Sequence, residues 1–323
     1  VTLTWLRRPA LLGALSGLVY GLVARMIADH GMGDPLGGFF GVMTWTFLLV
    51  VPLVIGYLTV RPHPQPSWTF RLVAPWAPVL LSVLISWLVG WEGAICIVMG
   101  LPLLLVLSSV GGMIGAALGP RRNGPGIAIA LLPLLLGPLE RQVAVPTSLR
   151  RVETSIPIDA PAARVWSQII EVPEIQPAER RPALFTRMGF PAPTSAVLTR
   201  HGVGGVRLAR FEGGVLFVET ITDWQPDRLL RFTIRAETDS IPVTTLDRHV
   251  VVGGPYFEVL TGTYWIEPAG HGVILHLASE LRVSTRFNFY AGRWADLIMR
   301  SIQQNILQVI KRRAEEPGHW GSS

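Results

Sequence analysis

From Pro9 to Leu139 this chain carries only eight charged residues: Arg25, Asp29, Asp34, Arg61, Arg71, Glu92, Arg121 and Arg122. Soluble domains hold roughly 25% charged residues, so a stretch this long and this poor in charge is not the exterior of a water-soluble globule. The other 42 charges fall outside it, and the chain reads as two chemistries joined end to end.

Four apolar stretches, approximately 9–28, 39–60, 73–90 and 93–118, are long enough for a hydrocarbon core that takes about 20 helical residues. A fifth, Pro125 to Leu139, would reach roughly 22 Å as a helix, so it either spans a thinned bilayer or lies at the interface. Taken alternately, the connections give one side Arg7, Arg8, Arg61, Arg71, Arg121 and Arg122, and the other only Asp29, Asp34 and Glu92. This asymmetry places the N-terminus in the cytoplasm. The expectation is an inner-membrane, multi-pass protein. Five spans put the C-terminal half on the periplasmic or extracellular side, and four keep it cytoplasmic. Gly111, Gly112, Gly115 and Gly119 have the spacing of a helix-packing face. Arg25 and Glu92 either snorkel to headgroups or form a polar spot inside the bundle.

The net charge of +6 is no sign of nucleic acid, because residues 145–323 are nearly balanced and the surplus arginines flank apolar spans. The single cysteine, Cys96, excludes an intramolecular disulfide framework. No glycine-rich phosphate loop, nucleophile elbow or histidine pair at ligand spacing occurs, so neither a cofactor nor a metal is implied.

From Arg151 the periodicity changes. Val152, Thr154, Ile156 and Ile158 alternate as on a half-buried strand, and Asp159-Ala160-Pro161 opens a short helix with Val165, Trp166 and Ile169 on one face. Strands follow at Gly205 to Phe211, Val215 to Thr222, Leu229 to Ala236, Val243 to Val252, Tyr256 to Ile266 and Val273 to Val283, with turn residues between them. A long helix from Phe287 to about Ala314 closes the chain, with Tyr290, Trp294, Ile298, Ile302, Ile306 and Ile310 as its apolar stripe.

That order, together with IPIDAPAARVWSQI, VETITDWQPDRLLRFTI and WADLIMRSIQQNILQVIKRRAE, resembles the SRPBCC superfamily over about residues 151–315. This is the START-like, helix-grip fold of polyketide cyclases, lipid-transfer domains and birch-pollen-type allergens. The resemblance implies an antiparallel curved sheet around a long C-terminal helix, enclosing a cavity for an apolar ligand. The expected fold is therefore an α-helical transmembrane bundle (1–144, four to five helices), then an α+β helix-grip domain (145–316) and a tail (317–323).

That family has no universal catalytic residue, so candidates come from the pattern alone. Val215, Phe217, Glu219 and Ile221 share a strand face; a buried Glu219 would act as an acid or anchor a headgroup, and a solvated one would do neither. Asp247 and His249 alternate on one strand as a base and its orienter would, or as edge-strand surface residues do. Arg207, Phe211, Phe217, Trp224, Phe232, Tyr256, Tyr264 and Trp294 supply a pocket for an apolar tail and a polar head. Ser284 to Asn288 caps the last helix, or seats an anion beside Arg286. Three functions remain open: a membrane-anchored module binding a lipid or other hydrophobic molecule for transfer, presentation or sensing; a cofactor-free cyclase, dehydratase or isomerase; and an interaction module for another membrane protein.

Overall fold

The computed structural model describes residues 3–30, 41–119, 126–180, 184–187, 190–237 and 253–316. The chain divides into two compact units, Val1–Val145 and Pro146–Ser323.

The first unit is helical: α1 (Leu3–His30), α2 (Val51–Val60) continuing a π-helical turn at Thr46–Val50, α3 (Trp68–Val73), α4 (Trp76–Leu88), α5 (Ala94–Leu118) and α6 (Gly126–Arg141). Three described segments are long and apolar enough to cross a membrane: Arg8–Ala28, Trp68–Leu88 and Ala94–Leu118. Trp68–Leu88 begins before residue 73, where the apolar reading started it, because Ser67 caps it by accepting from the Phe70 N–H. The stretch expected at 39–60 is helical only over Thr46–Val60 among the described residues. Its start is set by Glu140 of α6, whose buried carboxylate accepts from the N–H groups of Trp45 and Thr46 (2.6 and 2.8 Å) and from Thr46 Oγ1 (2.7 Å). Those otherwise orphaned donors and the positive end of the helix dipole both favour an anion there.

Arg25 and Glu92 pair with each other at 2.6 Å, and Arg25 also donates to the Trp91 carbonyl at 2.7 Å. Mutual neutralisation is how two charges persist inside an apolar bundle. Of the four glycines expected to pack helices, Gly111, Gly112 and Gly115 face backbone of α2 or α3, whereas Gly119 terminates α5 at φ +61° in open space.

The second unit holds a seven-stranded antiparallel sheet in the order β1-β7-β6-β5-β4-β3-β2. The strands are β1 (Ser148–Ile158), β2 (Pro193–Leu198), β3 (Val206–Phe211), β4 (Leu216–Gln225), β5 (Leu229–Glu237), β6 (Phe257–Ala269) and β7 (Gly272–Val283). Helices α7 (Ala162–Ile170) and α8 (Leu184–Arg187) lie between β1 and β2 in sequence, and α9 (Asn288–Glu315) ends the unit. Strands β3 to β7 form a meander, as the turn signals anticipate. β1 returns to the edge beside β7, where Pro157 needs no second hydrogen-bonding neighbour. Bulges at Ile221/Asp223 in β4 and at Val259/Thr261 in β6 add bend and twist. The sheet curls, and α9 packs on β1 and β7. One end of the enclosed space is filled by Ile158, Val165, Trp166, Ile169, Leu230, Leu275, Leu307 and Ile310. β2 carries no clear alternation and was not anticipated. The strand expected at Val243 to Val252, with Asp247 and His249, lies outside the described residues.

Candidate functional site

Beyond that filled end, sheet and helix leave a cavity of about 90 Å³. Phe217, Phe232, Ile234, Val259 and Leu277 contribute to its sheet wall, and Ile298, Met299, Ile302 and Ile306 of α9 to the other. Phe211 lines it as well, edge-on to Phe217 with ring centroids 5.2 Å apart. Gly262 admits the Phe232 ring, since a Cβ there would lie 2.4 Å from two of its carbons.

The polar groups on this wall are few and organised. Glu219 is buried and reaches the cavity. Its Oε2 accepts from Arg207 Nη1 at 2.8 Å across the β3–β4 register pair Arg207↔Glu219. Arg207 is 3% exposed and does not itself line the space. It stands against Phe232 and Tyr264, its guanidinium carbon 5.6 and 5.9 Å from their ring centroids.

Burial pushes the Glu219 carboxyl up, and the Arg207 guanidinium pulls it back. Burial alone would lower Arg207, but Glu219 and Tyr264 more than offset it, so Arg207 stays protonated. A protonated Glu219 would leave that cation uncompensated in an apolar interior, so the arrangement is an ion pair. Burial likewise raises the Tyr264 phenol, which Arg207 opposes, and Tyr264 is neutral at physiological pH.

A second polar cluster, on α9, was not anticipated. Gln303 is 1% exposed. Its Nε2 donates to the Val152 carbonyl and Ser279 Oγ, both at 3.0 Å, and its Oε1 accepts from Thr154 Oγ1 at 2.7 Å. Every hydrogen-bonding group of that amide except one carbonyl lone pair is engaged, which fixes the helix against β1 and β7. The available signal was Met299, Gln303 and Leu307 at four-residue steps, a polar residue in the middle of an apolar helical row.

Of the pocket residues expected from sequence, Phe211, Phe217, Phe232 and Tyr264 line this cavity, as does the acid candidate Glu219, to which Arg207 is paired. The others lie elsewhere. Trp224 packs against Trp166 and His201 at 5.2 and 5.6 Å. Trp294 meets Tyr290 at 6.4 Å. Tyr256 is half-buried in the field of Arg286, outside the cavity lining. At the start of α9, Asn288 Oδ1 accepts from Thr285 N–H and Oγ1 at 2.7 and 2.9 Å, a local capping arrangement.

No protein-family model matches the chain, and no curated protein does. Similar solved structures include a Chromobacterium violaceum protein at 14% identity (52% of this chain, 99% of that one, TM-score 0.31). Ara h 8.0201 matches at 13% identity (52% and 100%, TM-score 0.33), and a norcoclaurine synthase point mutant of Thalictrum, in complex with a transition-state analogue, at 15% (51% and 96%, TM-score 0.30).

Proposed function

We propose that this chain is a membrane-anchored binding module that holds a hydrophobic small molecule between the curled sheet and α9. The observation that carries this is the cavity itself: a mostly aliphatic and aromatic wall with few polar side chains, Glu219, Tyr264, Ser279 and Gln303, the composition of a site that takes an apolar body and fixes it by a polar contact. Anchoring is supported by the three long apolar helices and by large side chains displayed on their surfaces, such as Leu11, Leu88 and Val106, each more than 60% exposed. A ligand with low aqueous solubility reaches such a pocket by a shorter path when the pocket is held at the bilayer.

Native mass spectrometry of the full chain released from mild detergent tests the reading. The expected result is a protein carrying one apolar species at stoichiometric occupancy, recoverable by organic extraction, and absent when Ile302→Trp fills the cavity. Equal lipid adducts on both proteins would refute a specific site.

If the chain crosses five times, as the sequence reading favours over four, the arginine asymmetry leaves the C-terminal unit outside the cytoplasm. A reporter fused after Ser323 and active only in an oxidising compartment is expected to be active. Activity of a cytoplasm-specific reporter at the same position would instead place this unit inside.

The enzyme alternative has one specific observation in its favour, a buried carboxylate beside a neutral phenol. It predicts that the extracted species is converted by the chain, whereas a binding module returns it unchanged.

A further inference from the structure

The two faces of the Arg207–Glu219 pair are chemically different, and only one of them meets the cavity. The guanidinium lies against the rings of Phe232 and Tyr264 and does not line it, while the carboxylate does. Within that carboxylate, Oε2 accepts the hydrogen bond from Arg207 Nη1, and Oε1 has no hydrogen-bond partner among the described residues. The Gln303 amide protons are both spent on Val152 and Ser279, so they do not answer Oε1. An anionic oxygen with unused lone pairs, in a cavity walled by side chains such as Phe217, Ile234 and Val259, calls for a hydrogen-bond donor brought in by the ligand.

Net charge decides which donor. Arg207 already neutralises Glu219, so an ammonium ligand would bring an uncompensated positive charge into an apolar space, at high cost. A carboxylate ligand would face the Glu219 oxygen rather than the guanidinium, and like charges at that range repel strongly. A neutral O–H group donates to Oε1 without adding charge.

We infer that the ligand is a neutral apolar molecule bearing a hydroxyl group, which donates a hydrogen bond to Glu219 Oε1 while the apolar body packs between Phe232 and the α9 residues Met299, Ile302 and Ile306. This rests on the binding-module reading above and names the chemistry of its polar contact. The resting cavity, about 90 Å³, is smaller than the roughly 150 Å³ of an apolar cavity that takes benzene. A single ring therefore enters with some movement of the unbranched Met299 side chain, and probes of that size are the appropriate ones.

The test is calorimetric titration of the detergent-solubilised full chain, with micelle-only blanks, using four probes that share a methylphenyl body: 4-methylphenol, toluene, 4-methylbenzoate and 4-methylbenzylamine. The expected result is that 4-methylphenol binds about tenfold or more tighter than toluene, as a hydrogen bond to a charged acceptor allows, and that the two ions bind more weakly than toluene. In the double variant Arg207→Leu/Glu219→Leu, which leaves neither charge unpaired, toluene binding persists and the preference for the phenol disappears. Equal binding of phenol and toluene to the unaltered chain would overturn the hydroxyl assignment while leaving an apolar site in place. Tightest binding of the benzoate or the amine would overturn it too. If no probe binds beyond the micelle blank, the binding-module reading falls as well.

Discussion

Arg207→Leu is expected to lower the local stability of β3 and β4 by about 3–5 kcal/mol at neutral pH, because it strands a buried carboxylate. The wild-type carboxylate has a single hydrogen-bonding partner, Arg207 at 2.8 Å, and both side chains are at most 10% exposed. Replacing both residues, as in Arg207→Leu/Glu219→Leu, should recover most of the loss, since an apolar pair of similar volume needs no solvation. The single variant also acquires a pH signature. With the guanidinium gone, only burial acts on Glu219, so its folded pKa lies above the unfolded value of about 4.3. The folded state then binds more protons than the unfolded one, and stability falls as pH rises from the unfolded pKa through the folded one. The deficit is accordingly smallest near pH 4 and largest at neutral pH and above. Amide hydrogen exchange of the β3 and β4 peptides in the full chain measures it. Unchanged protection in Arg207→Leu, or no recovery in the double variant, would show that the pair is not what holds these strands.

How Glu219 and Gln303 came to the same cavity shows what was legible and what was not. Glu219 stood out because it interrupts a period-2 apolar row, Val215, Phe217, Ile221, and a strand gives each residue only two faces to choose between. Its neighbour Trp224 would have fallen on the opposite face by strict alternation. The bulge between Ile221 and Asp223 shifts the period by one, which brings Trp224 inward beside Trp166 and turns Asp223 out. No bulge can be seen in a run of residue types that suit both faces.

Gln303 was missed for a reason of curvature. The stripe Ile298, Ile302, Ile306, Ile310 describes a helix lying on a flat surface, which buries roughly a 100° arc. A curled sheet wraps further around α9 and also buries Met299, Gln303 and Leu307. The aromatics expected at the pocket divide by register and position. Phe211, Phe217, Phe232 and Tyr264 come from strands whose register carries them inward over the cavity, whereas Trp294 sits near the start of α9 and packs on Tyr290 instead. Composition marked the helical unit at once, but not its helix ends: the start at Thr46 is set by Glu140, ninety-four residues later in the chain.

The steepest response in the helical unit is expected at Gly111. A Cβ built there would lie 2.0 Å from the Leu53 carbonyl oxygen and 2.7 Å from its carbon, and one at Gly56 would lie 1.9 Å from the Ser108 oxygen. These are backbone atoms, which have no rotamer to escape into, so α2 and α5 would have to separate. Such close approach is what helices without large side chains at the contact permit, and packing of this kind is what holds them together. Gly111→Ala should therefore cost about 3 kcal/mol or more, at or beyond the upper end of ordinary overpacking. Gly100 supplies the internal control: it lies in the same helix with nothing within 4 Å of a built Cβ. Gly100→Ala removes a helix-weakening glycine and should be neutral or stabilising by up to about 1 kcal/mol. Size-exclusion profiles of the heated full chain in detergent distinguish the two variants, with Gly111→Ala losing its monodisperse peak at a clearly lower temperature. If both alanines behaved alike, the effect would belong to helix propensity, and the backbone contact between α2 and α5 would not be what holds the unit together.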